Sequence, residues 1–230
     1  MAHLRRDRLV LVPIPVGPNF RFARAAFDEY LDLLHYAGSC RRVGRCMRLL
    51  IVEAGKWVGG IVIGSTFPNI DVRDSALGLK PYVCGYKARN LRSPWARENW
   101  EYWNRLQKIV NHARTFVFPK HQGRGLGVRS HRILLTQGRM LWEERYDEKV
   151  AAFDTLCDAK DSSLFLLNGW SYVGRTAGFE SDPSQKLASS GNNPLMRNNV
   201  GLKRGRRQWE VWIRTIDATL LNNKRIPRNQ

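Results

Sequence analysis

The stretch Phe116-Val117-Phe118-Pro119-Lys120-His121-Gln122-Gly123-Arg124-Gly125-Leu126-Gly127 decides how the rest of the chain is read. It opens in a β-branched and aromatic run, Thr115 to Phe118, which predicts a buried strand. Pro119 ends that strand, and a glycine-rich turn follows from Gln122. The recurrence of Ile133, Leu134, Leu141 and Trp142 then predicts a helix to about Arg145. Strand, glycine turn and helix start together make an anion cradle. Glycine lets backbone N–H groups approach a phosphate closely, and the helix N-terminus adds partial positive charge. Arg124 supplies a charged hydrogen-bond donor beside it. Two better-known phosphate loops do not fit. A Walker loop needs Lys and then Ser or Thr after its last glycine, where this chain has Val128-Arg129; a Rossmann loop needs Gly-x-Gly-x-x-Gly, where this chain has Gly-x-Gly-x-Gly.

What does match is Gln-x-x-Gly-x-Gly after a strand, and it resembles the pyrophosphate loop of the GCN5-related N-acetyltransferase (GNAT) superfamily. Ser162 to Thr176, with Asn168-Gly169-Trp170 at its centre, resembles that superfamily's later helix, its Asn-Gly-aromatic stop and its next strand. The resemblance implies an α/β fold with a mixed, mostly antiparallel, splayed sheet flanked by helices. It also implies acetyl-CoA or a related acyl donor. Phe116, Val117, Phe118, Gln122, Gly123, Arg124, Gly125, Leu126, Gly127 and Asn168 would hold that donor.

Charge narrows the partner. Thirty-eight Lys and Arg against 20 Asp and Glu leave +18 on 230 residues. An enzyme of small neutral substrates gains nothing from such self-repulsion, so a polyanion is the expected partner, and a nucleic acid fits best. With no apolar run near ~18 residues and no signal pattern, the expectation is a soluble chain of the bacterial cytoplasm without a membrane partner. Cys40, Cys46, Cys84 and Cys157 show no Cys-x-x-Cys spacing, which points away from a zinc site, and no metal is expected.

Leu9 to Val12 predicts a first strand, Phe20 to Tyr36 an amphipathic helix, and Met47 to Glu53 with Trp57 to Gly64 a hairpin about Ala54-Gly55-Lys56. Residues 65–99 then interrupt the domain as a basic insertion carrying Arg73, Lys80, Lys87, Arg89, Arg92 and Arg97, with Tyr82, Tyr86 and Trp95 suited to stacking on bases. Trp100, Trp103, Leu106 and Val110 have helical spacing, Val150 to Cys157 predicts a buried strand, and Ser162 to Asn168 a short helix with Asp161 as its N-cap and Gly169 beyond its end. Phe179 to Asn199 should be loop, and Trp209 to Ile216 the last strand. Residues 1–216 therefore read as one domain and 217–230 as a tail. Lys203, Arg204, Arg206 and Arg207, with Arg89, Arg92, Trp95 and Arg97 of the insertion, form the expected nucleic-acid contacts.

Acyl transfer to an amine needs an oriented donor, a base and an acid. Asp158, expected at the C-terminal end of a strand, is the better placed carboxylate, ahead of Asp154. Tyr172 is a candidate acid, and His35-Tyr36 at the end of the first helix is a second polar cluster. A narrower resemblance bears on these residues. His35 to Ser39, Gly44 to Leu50, Trp57 to Gly60, Ile109 to Arg114, Asp154 to Asp158 and Asn168 to Thr176 are similar to the Druantia DruA-like family. They are also similar to the Mom-type phage DNA-modification proteins, which act on adenine in DNA. That resemblance spans about Tyr30 to Gly178 and implies that His35, Tyr36 and Asp158 belong to the active site. It departs at Phe165, where Mom-type proteins tend to have Tyr. The expected activity is acyl transfer to a base amine of phage or bacterial DNA, adenine N6 above all. The alternatives are an N-acetyltransferase of proteins or small amines, and a non-catalytic DNA-binding defence component.

Overall fold

The computed structural model describes residues 9–36, 38, 44–79, 94–176 and 208–222. Seven strands make one open sheet in the order β1-β2-β3-β4-β5-β7-β6. They are β1 (Leu9–Pro13), β2 (Cys46–Glu53), β3 (Lys56–Ser65), β4 (Ile109–Val117), β5 (Ala152–Cys157), β6 (Ser171–Arg175) and β7 (Glu210–Thr215). All neighbours are antiparallel except β4 and β5. The expected mixed, mostly antiparallel architecture is therefore present. One face carries α1 (Arg21–Leu34), whose Phe27 and Leu31 are buried against Ile14, Val62, Ala113 and Phe116. Gly60 of β3 permits this seat, because a Cβ there would stand 2.4 Å from the Phe27 ring. The opposite face carries α4 (Leu126–Ile133) and α5 (Arg139–Tyr146), with Leu134 and Trp142 in the larger core.

Between α4 and α5 runs a π-helical turn, Leu134–Gly138, that the apolar spacing did not indicate. It brings Gln137 against the outer edge of β1, where its Nε2 donates to the Leu11 carbonyl at 3.0 Å and its Oε1 accepts from the Leu11 N–H at 2.8 Å. An edge strand exposes such groups to other chains, and here one side chain occupies both.

The site is positioned by the partial ladder between β4 and β5. They pair only where Ile109–Asn111 face Ala152–Asp154, although β4 continues to Val117 and β5 to Cys157. Two local features separate them. Arg114 and His112 stand opposite consecutive residues of β3, which leaves Ala113 as a bulge in β4. Immediately past the ladder the Thr155 hydroxyl donates to the His112 carbonyl at 2.9 Å, so a side chain replaces the next ladder bond.

Residues 65–99, expected as a basic insertion in contact with nucleic acid, begin otherwise. Helix α2 (Asp71–Ala76) docks on the sheet near β6 and β7 and buries Arg73 completely. Arg73 is therefore no phosphate contact. Its Nη1 donates to Asp154 Oδ2 at 3.0 Å and to the Phe67 carbonyl at 2.7 Å, and its Nε donates to Asp74 Oδ1 at 2.8 Å. Asp154 also accepts from Asn111 Nδ2 at 2.7 Å and from the Thr66 hydroxyl. This network explains why Asp154, 1 % exposed, is not available for chemistry.

In α3 (Pro94–Leu106) the buried stripe is Asn99, Tyr102 and Leu106, so the spacing through Trp100 and Trp103 marked the wrong face; Trp100 is 67 % exposed. Tyr102 faces inward because its hydroxyl accepts the Asn69 N–H at 2.8 Å and donates to Asp74 Oδ2 at 3.0 Å. The segment expected as a tail starts with a helical turn, Thr219–Asn222, whose Leu221 is buried with Leu79, Leu106 and Ile109. Among the described residues no helix is long and apolar enough to cross a membrane, and no cluster of His, Cys, Asp or Glu could hold a metal ion. Arg89, Arg92, Lys203, Arg204, Arg206 and Arg207 lie outside the described residues, as do the side chains of Trp95 and Arg97.

Candidate active site

Because β4 and β5 run parallel, their C-terminal ends open at the same end of the sheet, where ligands of such sheets are held. At the end of β4 the Phe118 N–H donates to Val58 O at 3.0 Å. Alternation along an antiparallel edge then turns the Val117 groups the other way, toward the gap left by β5. Phe116 is 3 % exposed and belongs to the core under α1, so its side chain is unavailable to a ligand. Phe118 packs edge-on against Tyr30 and Trp57, with ring centroids 4.9 and 5.1 Å apart.

The turn itself is tight and exposed. The Gln122 N–H is consumed by the Pro119 carbonyl at 3.2 Å, and its side chain donates to Val117 O at 3.1 Å. Gln122 thus shapes the loop from within. Gly123 and Gly125 have φ of +78° and +65°, and a Cβ at either would meet nothing within 4 Å. Left-handed backbone explains the glycines, and the space before them is open. The first amide of α4 to reach a carbonyl is that of Arg129, on Gly125 O at 3.0 Å. The amides of Leu126, Gly127 and Val128 precede it and have no carbonyl to reach within the helix, so they remain for an anion. Arg124 is exposed beside them.

The other wall of the gap is the cluster that the sequence pointed to. His35 caps α1 and stacks on Tyr36, with ring centroids 4.5 Å apart. The Asp158 N–H hydrogen-bonds the Tyr36 hydroxyl, and the Lys160 ammonium stands 4.6 Å from the Tyr36 ring centre. Burial, with Arg114 and Lys160 nearby, holds the His35 pKa down to about 4 from 6.5, so the imidazole is neutral at neutral pH. Burial, with the Asp158 and Asp161 charges, raises the Tyr36 pKa above 10.0, so the phenol keeps its proton. His35, Tyr36 and Asp158, 123 residues apart at the extremes by their numbering, are thereby one cluster.

Three expectations are placed elsewhere. Tyr172 stands on the outer strand β6, opposite Trp212 and on the face of Thr155 and His112, with its ring against Trp212 at 5.5 Å. Asn168 donates to the Leu164 carbonyl at 2.9 Å and closes α6 (Ser162–Leu166) from within. Asp161 occupies the N-cap position of α6 but makes no side-chain capping bond.

One buried neighbour of the turn escaped the sequence altogether. His131, wholly buried on α4, donates from Nδ1 to the Gly127 carbonyl at 2.8 Å and meets the His112 ring at 4.5 Å. A histidine one turn after a glycine loop was the available signal. Burial holds its pKa down to about 4 from 6.5. Between those values the unfolded chain binds a proton that the native state refuses, so stability falls as pH falls from 6.5 toward 4. At about 1.36 kcal/mol per pH unit the loss is about 3 kcal/mol. Urea midpoints measured from pH 7 to pH 4 should fall accordingly. His131→Asn should lessen that slope, leaving the share that His35, held down to about 4 as well, contributes over the same range.

No family model matches the chain, and no curated protein does. The chain is similar to solved acetyltransferases. RimL, a ribosomal L7/L12 alpha-N-protein acetyltransferase, is 14 % identical over 91 % of this chain and 94 % of its own, with a TM-score of 0.44. The ribosomal-protein-S18-alanine N-acetyltransferase from Escherichia coli is 11 % identical over 91 % and 95 %, with a TM-score of 0.45. The aminoglycoside acetyltransferase AAC(6')-Ib in complex with coenzyme A is 10 % identical over 92 % and 96 %, with a TM-score of 0.46.

Proposed function

We propose that this chain is an acyl-CoA-dependent transferase that acylates a base amine of DNA, with adenine N6 as the acceptor. The observation that carries this reading is the gap between β4 and β5, with unpaired first-turn amides of α4 on one wall and His35, Tyr36 and Asp158 on the other. The donor's diphosphate would sit on the amides of Gly123 to Val128, with Arg124 beside it. Its extended arm would run along the open edge of β4 at Val117 and bring the thioester toward Tyr36.

The amine nitrogen attacks the thioester carbonyl, a C–N bond forms and the C–S bond breaks. Asp158 takes the proton released by the nitrogen, and the Tyr36 phenol gives one to the departing thiolate. Neutral His35 supports Tyr36 by stacking. An aryl amine suits this arrangement, because it is uncharged at neutral pH and need not lose a proton before attacking. The net charge of +18 supports a polyanionic acceptor, and Tyr36, half exposed, can stack on a base turned out of the duplex.

Mass spectrometry of nucleosides from DNA of cells expressing the chain tests the whole reading. A deoxyadenosine of increased mass is expected. Unmodified nucleosides beside newly acylated proteins or small amines would assign the activity to those acceptors instead. The donor half has its own test in Gly125→Glu. A Cβ at Gly125 meets nothing within 4 Å, but its left-handed backbone at φ +65° strains any side chain. A carboxylate among the first-turn amides also reverses the favourable charge interaction, worth up to ~2 kcal/mol, so Gly125→Ala is the control that carries the strain without the charge. Calorimetry should show coenzyme A binding weakened about 30-fold, the equivalent of those ~2 kcal/mol.

A further inference from the structure

Two wholly buried side chains of α4, Ser130 and His131, spend their hydrogen bonds on their own helix. The Ser130 hydroxyl donates to the Leu126 carbonyl at 2.7 Å, and His131 Nδ1 donates to the Gly127 carbonyl at 2.8 Å. Such back-bonding four residues upstream ordinarily bends a helix slightly and brings it little. Its placement here is informative. A peptide unit joins one residue's carbonyl to the next residue's N–H, so the two bonds fall on the peptide units whose N–H groups belong to Gly127 and Val128. Those are first-turn amides with no carbonyl to reach within the helix. A carbonyl that accepts an additional bond polarises its own N–H and makes it a stronger donor.

His131 is also held from behind. Its ring meets His112 of the central strand at 4.5 Å and Phe165 of α6 at 5.4 Å, while Gly127 lies against Leu164 of the same helix. Because a carbonyl can only accept, Nδ1 carries the proton, which fixes the tautomer; Nε2 is buried without a partner among the described residues.

We infer that Ser130 and His131 are positioning residues for the donor's diphosphate, aiming and polarising the Gly127 and Val128 amides through the carbonyls behind them. The inference rests on the acyl-CoA reading of the α4 turn. It deepens that reading by assigning the strength of the anion cradle to two side chains that never touch the ligand.

The test titrates coenzyme A and dephospho-coenzyme A, which lacks the 3′-phosphate but keeps the diphosphate, into the whole chain and its variants. Ser130→Ala and His131→Leu should each weaken both ligands equally, by about three- to tenfold for one lost polarising bond. His131→Asn, whose Nδ2 stands where Nδ1 did, should restore most of the affinity. If transfer is assayed, KM for the donor should rise and kcat at saturation should hold. A residue that merely stabilises the helix would lower the melting temperature and leave affinity per folded molecule unchanged, so that result overturns the inference. Ser130→Ala, the smaller change, keeps the test decisive if His131→Leu does not fold. Weakening of coenzyme A alone would place the effect at the 3′-phosphate and also overturn it. If the unaltered chain binds neither ligand, the donor reading fails and the inference fails with it; unaltered binding in the variants, against a binding wild type, sinks the inference alone.

Discussion

Asp158→Asn should abolish transfer, lowering the rate by about a thousandfold, within the range for removing a positioned general base, while DNA affinity stays within about twofold. The asymmetry follows from which atoms of Asp158 do what. The Tyr36 hydroxyl is held by the Asp158 backbone N–H, so changing the carboxylate to an amide of the same shape leaves that bond in place. The chain between Cys157 and Asp161 keeps its turn as well, because the Asp161 N–H is held by the Asp158 carbonyl at 2.9 Å. What disappears is the carboxylate's charge and, with it, the ability to take a proton from the attacking nitrogen. Tyr36→Phe should be milder, about a hundredfold, because solvent can protonate a thiolate that the phenol no longer serves. Single-turnover transfer to DNA, with binding measured separately at matched salt, checks both. Loss of DNA binding together with transfer in Asp158→Asn would make the residue structural.

The elements that frame this site were largely legible, and the reason is local. The run Thr115 to Phe118, the Gly123 and Gly125 turn and the apolar spacing after it each carry their own conformational preference, so no distant partner is needed to read them. Gly169, at φ +69°, marks the end of the short helix for the same reason. The His35-Tyr36 cluster with Asp158 was legible only through family resemblance, since no periodicity joins residues so far apart in sequence. What stayed hidden depends on pairing across the fold. An arginine among prolines and glycines reads as a solvated charge. Only its three-dimensional neighbours, Asp154 among them at 81 residues' separation, reveal Arg73 as core. Trp100 and Trp103 misled because spacing alone cannot say which of two adjacent stripes is apolar enough to bury. Tyr102 took the inner place through two hydrogen bonds that no pattern displays.

Arg73→Met should cost about 3–5 kcal/mol of stability, the range for removing one partner of a buried ion pair. The size follows from what is left behind. Arg73 is 0 % exposed and lies between two carboxylates, Asp74 and Asp154, that are 5 % and 1 % exposed. Those two charges raise its pKa against the opposing effect of burial, so the guanidinium is charged in the fold. Methionine fills much of the same volume, so packing alone predicts a small effect. Asp154 would keep Asn111 and Thr66, and Asp74 would keep Tyr102, but neither would keep a counter-charge. Each must then hold a charge in the interior or take up a proton. If the electrostatic account is right, acid should partly relieve the defect, because protonation removes the uncompensated charge. The gap in unfolding free energy between Arg73→Met and wild type should therefore narrow from pH 8 to pH 5. The triple variant Arg73→Met, Asp74→Asn, Asp154→Asn should recover part of the loss at pH 8. A gap that is unchanged with pH, and a triple variant no better than the single, would mean that the cost lies in shape. The consequence for the site is direct, since Asp154 and Asn111 occupy the last rung of the ladder before β4 and β5 part. A loosened rung moves the point of parting, so the variant's residual activity should fall further than its folded fraction. Transfer normalised to folded protein is the measurement that decides it.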